Sequence, residues 1–276
     1  MTQYCALHPL DQATSLESLG DDRYRGRFPP SYFNMVGPFG GVIASTLLNA
    51  VLSHPKRHGD PVSMTINFAG PVDDTDYEIL ARPARTNRST QHWTVELIQH
   101  GQPAITGTVF LAIRRDSWEG SDIQMPEVPE PAKVEVLDTT GYRPWMNNYE
   151  FRVVDGHFHP DGSAPAQRDS HSTLWMRDEP PRPLDFLSLM ALSDCFFPRI
   201  FIRQQQRALV GTVSMTTYFH GDAESLRQQG SRPLLGVARA QRYFRGYFDQ
   251  VGELWGEHGE LLASTHQIVY FKSEGF

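Results

Sequence analysis

Cysteine is scarce in this chain, with Cys5 and Cys195 its only two. Two thiols imply no disulfide framework, and a reducing cytoplasm is the expected setting. Long hydrophobic runs are also missing. The longest apolar stretch, Gly40–Leu52, is too short to cross a bilayer, so no membrane partner is expected. The opening residues, MTQYCALHPLDQ, lack the basic and apolar regions of a signal peptide, and the closing KSEGF is not a peroxisomal address. Positive charge is in the minority, with 25 Lys and Arg against 32 Asp and Glu and a net charge of −7. That balance argues against nucleic acid or an anionic membrane as a partner, but leaves room for a local basic patch that grips a phosphorylated ligand. No glycine-rich phosphate loop and no Ser-His-Asp elbow is found.

What is present is a repeat. Val62–Gly70 reads VSMTINFAG, and Val213–Gly221 reads VSMTTYFHG, so that four identical residues are followed by a matched Phe and Gly. The copies are separated by just over half of the 276 residues, a period far too long for a solenoid. It suits one unit written twice, each of ordinary domain size.

The halves share an order of elements. Strand-like stretches at Asp22–Phe28, and at Glu150–Val154 and Ser172–Arg177, precede helices at Gly41–Ser53 and Leu184–Phe197 that are apolar nearly all round and therefore buried. Four strands follow each helix: Val62–Phe68, Tyr77–Thr86, His92–His100 and Ala104–Ile113, then Thr212–His220, Leu234–Tyr243, Tyr247–Glu257 and Leu261–Lys272. A His-Gly pair separates the last two strands of each half, at His100-Gly101 and His258-Gly259, as a hairpin requires. One helix wrapped by an antiparallel sheet, twice over, is an α+β double hotdog. The expected division is an N-terminal hotdog over 1–115, a Pro- and Glu-rich linker over 116–145 and a C-terminal hotdog over 146–276.

Three residues of the second half are candidates for chemistry. Asp194 sits near the end of the second apolar helix. It is either a helix-end carboxylate turned to water, Arg199 or Arg203, or a general base whose pKa is set by partial burial. Gln267 falls on the face of its strand that carries Ala263, Thr265, Val269 and Phe271, and is either a satisfied core amide or a side chain that orients a ligand or water. Thr212 opens the repeated strand on the expected face of Ser214, Thr216 and Tyr218, where a β-branched hydroxyl is also ordinary. Cys195 reads as inert packing. His157 and His159 read as a solvated loop, with no metal expected. Arg239, Arg242 and Arg245 either meet ligand phosphates or form a solvated face.

Leu192-Ser193-Asp194, Gly211-Thr212-Val213 with Tyr218-Phe219-His220, and Leu262–Gln267 together resemble the signatures of the type II acyl-CoA thioesterases. The resemblance covers most of the chain and implies a double hotdog that hydrolyses a fatty acyl or related thioester to free acid and coenzyme A by direct attack of a bound water. It assigns Asp194 as base or water orienter and Thr212 and Gln267 as its hydrogen-bonding partners. Gly40-Gly41 matches the family's glycine pair and is expected to supply backbone donors for the substrate oxyanion. No cofactor is implied, and a homodimer or higher homo-oligomer is expected. The chain departs from the family where Ser214 and Met215 replace an Asp-His pair, and Val109 leaves the first half without a second triad. The rivals are a non-catalytic acyl-thioester binding protein and an enoyl-thioester hydratase or dehydratase. Hotdog hydratases rely on an Asp with a His five residues on, and here that position is Arg199.

Overall fold

In the structure, a computed structural model that describes residues 7–159 and 161–272, the two copies of the repeat are neighbouring strands. Cys5, with the rest of residues 1–6, and residues 273–276 of the segments read above for targeting lie outside the described residues. The first half runs α1 (Pro9–Ala13), β1 (Glu17–Gly20), β2 (Arg23–Gly26), α2 (Gly40–Leu52), β3 (Asp60–Phe68), β4 (Tyr77–Thr86), β5 (Thr90–Gln99) and β6 (Gln102–Ala112). The second runs β7 (Tyr149–Asp155), β8 (Ser172–Asp178), α3 (Phe186–Leu192), α4 (Arg199–Gln204), β9 (Leu209–Phe219), α5 (Ala223–Gln229), β10 (Leu234–Arg239), β11 (Tyr243–Phe244), β12 (Tyr247–Trp255) and β13 (Leu261–Lys272).

All strands join one antiparallel sheet in the order β1-β2-β4-β5-β6-β3-β9-β13-β12-β10-β8-β7, with β11 paired to β12. The seam between the halves is β3 against β9. There Thr65 faces Thr216, and their hydroxyls are 2.9 Å apart. Thr216 lies 151 residues after Thr65, the offset of the repeat itself, so the axis relating the halves passes between these two side chains. The pairing turns the half-buried threonines to the outer face and Met64, Ile66, Met215 and Phe219 into the core. At the β5–β6 turn, His100 and Gly101 both have positive φ, at 52° and 73°. This is the left-handed pair that a two-residue hairpin needs.

The sheet wraps α2 and α3, which pack against each other and share a single apolar core with strands of both halves. The helices approach closely because of small residues: a side chain at Gly41 would fall 2.5 Å from the Ala191 carbonyl, and Ser45 Oγ donates to the Leu187 carbonyl at 2.9 Å. Two expected elements are shorter than the sequence suggested. The second helix was expected over Leu184–Phe197, but α3 stops at Leu192. Ser193 caps it and turns its hydroxyl back to the Leu189 carbonyl, and Pro198 then starts α4 instead of continuing the same helix. The strand expected over Leu234–Tyr243 breaks after Arg239 and resumes only for the two residues of β11.

The segment over 116–145 forms no strand or α-helix, only short 3-10 turns opening at Pro131 and Pro144, but it is not loose. Trp175 Nε1 donates to the Pro129 carbonyl at 2.9 Å, and Met125, Val128 and Val134 pack on Trp175, Leu235, Val237 and Trp255. At its end Trp145 stacks on Phe39, with ring centroids 4.0 Å apart and planes within 5°. Among the described residues no helix is long and apolar enough to cross a membrane.

Because α2 lies at the centre of this core and Leu47 has no exposed surface, Leu47→Ala should destabilise the protein by about 2–5 kcal/mol, the range for an uncollapsed core deletion. Urea unfolding of both forms checks this, and a loss below about 1 kcal/mol would mean that the helix is not enclosed as described.

Candidate active site

A cavity of about 430 Å³ opens where the start of α2, the turn after α3 and strands β9, β12 and β13 converge. Most of its wall is apolar and aromatic, with Phe39, Ile43, Phe68, Trp145, Phe196 and Phe197 among its residues. Its polar residues include Asp194, Thr212, Gln250 and Gln267. This is the usual composition of a small-molecule site: an apolar chamber with a few convergent polar groups.

Local breaks in regular structure bring Asp194, Thr212 and Gln267 together. Asp194 sits in the turn beyond α3, its backbone N–H bonded to the Ala191 carbonyl at 3.2 Å, so the early end of that helix aims its side chain across to α2. Thr212 owes its position to a β-bulge. Ser214 pairs with Ile268 but Thr212 with Val269, so the register skips Val213. The alternation of side chains therefore resets, and Thr212 turns to the inward face with Met215, not to the outer face with Ser214, Thr216 and Tyr218 as the sequence suggested. Gln267 points inward from β13 as its alternation requires, and is 2% exposed.

The three side chains form one hydrogen-bonded chain. Gln267 Nε2 donates to Asp194 Oδ1 at 2.8 Å, and Thr212 Oγ1 donates to Gln267 Oε1 at 3.2 Å. An ionised carboxylate only accepts, so the amide nitrogen of Gln267 must face Asp194 and its oxygen must face Thr212. The threonine hydrogen is thereby committed, leaving its oxygen lone pairs free.

Asp194 packs against the N-terminus of α2. A side chain at Gly40 would lie 2.7 Å from Asp194 Oδ2, so only glycine admits the carboxylate here. Gly40 lines the cavity, whereas the Gly41 amide is turned to the carboxylate. Asp194 keeps some accessible surface toward the cavity but is otherwise enclosed by protein. Burial pushes its pKa up to about 7, and the Gln267 and Gly41 donors oppose that rise. Neither Arg199 nor Arg203 pairs with it. Arg199 is fully buried and donates instead to the Ser170, Phe197 and Ala238 carbonyls, the Ser172 hydroxyl and the Gln250 side chain. Cys195 is buried, and desolvation pushes its thiol well above the usual range, so it is held as an inert thiol.

Of the arginines singled out from the sequence, none lines the cavity. The Arg242 and Arg245 guanidiniums lie 4.9 and 5.0 Å from the centre of the exposed Phe244 ring, and Arg239 lies 3.8 Å from Glu253. The cavity is instead edged by Arg143 and Arg207, both exposed, which sequence reasoning missed because their positions in the 116–145 segment and the loop before β9 carry no periodic signal. Gln250 was also missed, although it alternates inward on β12 with Phe248 and Leu254, the same signal that exposed Gln267.

Comparison with known proteins identifies the family and the fold. Residues 123–271 match a domain model described as the acyl-CoA thioesterase C-terminal domain, and residues 29–112 match the acyl-CoA thioesterase N-terminal domain. A conserved protein of unknown function with a hotdog fold from Alicyclobacillus acidocaldarius is 44% identical, with a TM-score of 0.92 over 98% of this chain and 100% of that one. The acyl-CoA thioesterase II TesB2 of Mycobacterium marinum shares the fold at 19% identity, with a TM-score of 0.75 over 97% and 100% of the two chains. The TesB protein of Mycobacterium avium subsp. paratuberculosis does so at 18%, with a TM-score of 0.76 over 95% and 98%. No curated protein sequence matches the chain significantly.

The raised pKa of Asp194 sets the sign of a stability effect. Between the unfolded value of 3.8 and about 7 in the fold, the native state retains a proton that the unfolded chain has lost, so stability falls as pH rises through that window. Asparagine carries no such penalty. Asp194→Asn should therefore be more stable than wild type at pH 8, by roughly 2–4 kcal/mol, and the gap should close as pH falls toward 4. Calorimetric unfolding of both forms across pH 4–8 measures this, and a gap independent of pH would show that the carboxylate is not desolvated.

Proposed function

The chain belongs to the acyl-CoA thioesterase family, and from that premise we propose that it hydrolyses an acyl-CoA by direct attack of a water held at Asp194. The observation that carries this reading is the chain of hydrogen bonds from Thr212 through Gln267 to Asp194, set in the wall of an apolar cavity.

The roles follow from which atoms remain free. A water between Asp194 and Thr212 meets two acceptors, a carboxylate oxygen and the hydroxyl lone pairs of a threonine whose hydrogen is already given to Gln267. Both water hydrogens are then directed into the protein, and an oxygen lone pair faces the cavity and the thioester carbon. Orienting a nucleophile in this way is a large part of what a site can contribute. As the O–C bond forms, Asp194 takes a proton and the carbonyl π pair moves onto oxygen. When that pair returns, the C–S bond breaks, the thiolate leaves and accepts the proton, and the products are a carboxylic acid and a thiol. A base near pKa 7 suits this work at neutral pH, since about half of it is ionised and it is still basic enough to accept the proton. The aromatic wall formed by Phe39, Phe68 and Trp145 suits a hydrocarbon acyl group, and the exposed cations Arg143 and Arg207 on the rim suit a phosphorylated carrier. Cysteine usage fits a reducing cytoplasm. Self-association fits the outer face of the central strands, where Val213, Tyr218 and Ile268 stand exposed.

The reading is tested by thiol release from short, long, branched and aromatic acyl-CoAs, and from an acyl-carrier-protein thioester. Wild type should turn over members of the CoA panel, and Asp194→Asn should lower kcat by about 10²–10⁴ while staying folded. In wild type kcat should fall below a midpoint near pH 7, because protonating Asp194 removes the base. A folded Asp194→Asn enzyme within tenfold of wild type rules out the base, and absence of thiol release from every thioester rules out the hydrolase.

A further inference from the structure

Arg199 is buried without a counter-charge. Its side chain has no exposed surface, and among the described residues every oxygen it donates to is neutral. An unpaired buried cation is costly, and a guanidinium does not escape the cost by deprotonating near neutral pH, since burial lowers its pKa only to about 10. Among its contacts with residues of the cavity wall, Gln250 is the one made to a polar side chain.

Arg199 Nε donates to Gln250 Oε1 at 3.1 Å. Guanidinium has no acceptor atom, so the amide oxygen must be the atom facing it, and the Gln250 NH₂ must face the other way. Gln250 is 3% exposed, lines the cavity, and among the described residues its NH₂ has no hydrogen-bond acceptor. The β12–β13 register places Gln250 directly opposite Gln267, the residue that holds Asp194. A donor is therefore aimed into the chamber beside the base, and its bond to a cation polarises the amide and strengthens its N–H groups.

Building on the hydrolase reading, we infer that Gln250 donates to the thioester carbonyl oxygen and stabilises the oxyanion as water adds to the carbon. Of the Gly40-Gly41 pair expected from the sequence to supply backbone donors, Gly41 has its amide turned to Asp194 instead. Gln250 receives the charge that the carbonyl π pair carries onto oxygen and gives up no proton. It releases that charge when the pair returns and expels the thiolate.

Gln250→Glu separates this role from a structural one. Glutamate still accepts from Arg199 and adds the missing counter-charge, so the fold should be kept with a Tm equal to or above wild type. It offers no amide donor to the cavity. For the acyl-CoA that wild type hydrolyses fastest, kcat should fall about 10²–10³-fold, the cost of one oxyanion donor, with KM changed far less. Gln250→Met should lose kcat similarly. Turnover is paired with infrared spectra of a bound ketone analogue of hexanoyl-CoA, with methylene replacing sulfur and ¹³C at the carbonyl. The carbonyl band should lie lower in wild type than in either variant. A folded Gln250→Glu enzyme with near-wild-type kcat and an unmoved band overturns the inference and leaves the hydrolase reading intact. A band that depends on Gln250 in a protein that hydrolyses no thioester overturns the hydrolase reading and leaves the donor. An analogue that does not bind wild type also overturns the inference.

Discussion

The antiparallel seam between β3 and β9 is the constraint from which the site follows. Pairing Thr65 with Thr216 fixes the register of the two halves and fuses their sheets, which places α2 and α3 face to face inside a single wrap. The contact between these helices is then decided by small residues, Gly41 against Ala191 and Ser45 against Leu187. That approach brings the turn after α3 to the N-terminus of α2, so a carboxylate from the second half rests on the backbone of the first. The cavity depends on the seam, since Asp194, Thr212, Gln250 and Gln267 come from the second half while its apolar wall draws on both.

Two buried groups of opposite charge, Asp194 in the wall of this chamber and Arg199 behind that wall, are each satisfied by neutral groups. Asp194 is held by the amides of Gln267 and Gly41, and Arg199 by carbonyls, a hydroxyl and the Gln250 amide. An ion pair would have fixed both in their charged forms and removed their influence from the cavity. Kept apart, Asp194 is raised into the range where it exchanges protons near neutrality, and Arg199 remains a cation behind a polarisable amide. Such departures from ordinary protein interiors cost stability and concentrate at functional sites. The two glutamines are placed alike: opposite each other across β12 and β13, each has its amide orientation set by the charged group it bonds.

The architecture was legible in the sequence because it depends on local pattern. The repeat at Val62 and Val213, the alternation along each strand and the helices apolar all round fixed an α+β double hotdog, and the His100-Gly101 pair marked its turn. Asp194 and Gln267 were visible as polar residues in apolar series, a signal that needs no neighbours to be read. The resemblance of three short segments to the thioesterases added the family, which the domain matches establish.

Tertiary structure alone decided what those residues face. The bulge at Val213 reverses the side of the sheet on which Thr212 stands, because one extra residue shifts a period of two, and no single-strand pattern reveals it. The early end of α3 turns Asp194 out of the helix and onto Gly40, a contact between residues more than 150 positions apart. Gln250 stayed hidden because its meaning comes from Arg199 behind it and Gln267 beside it. Local periodicity determined which elements form and which faces are buried. Register, bulges and the distances between elements decided the chemistry, because hydrogen bonds and desolvation depend on separations of a few ångströms that only the assembled sheet sets.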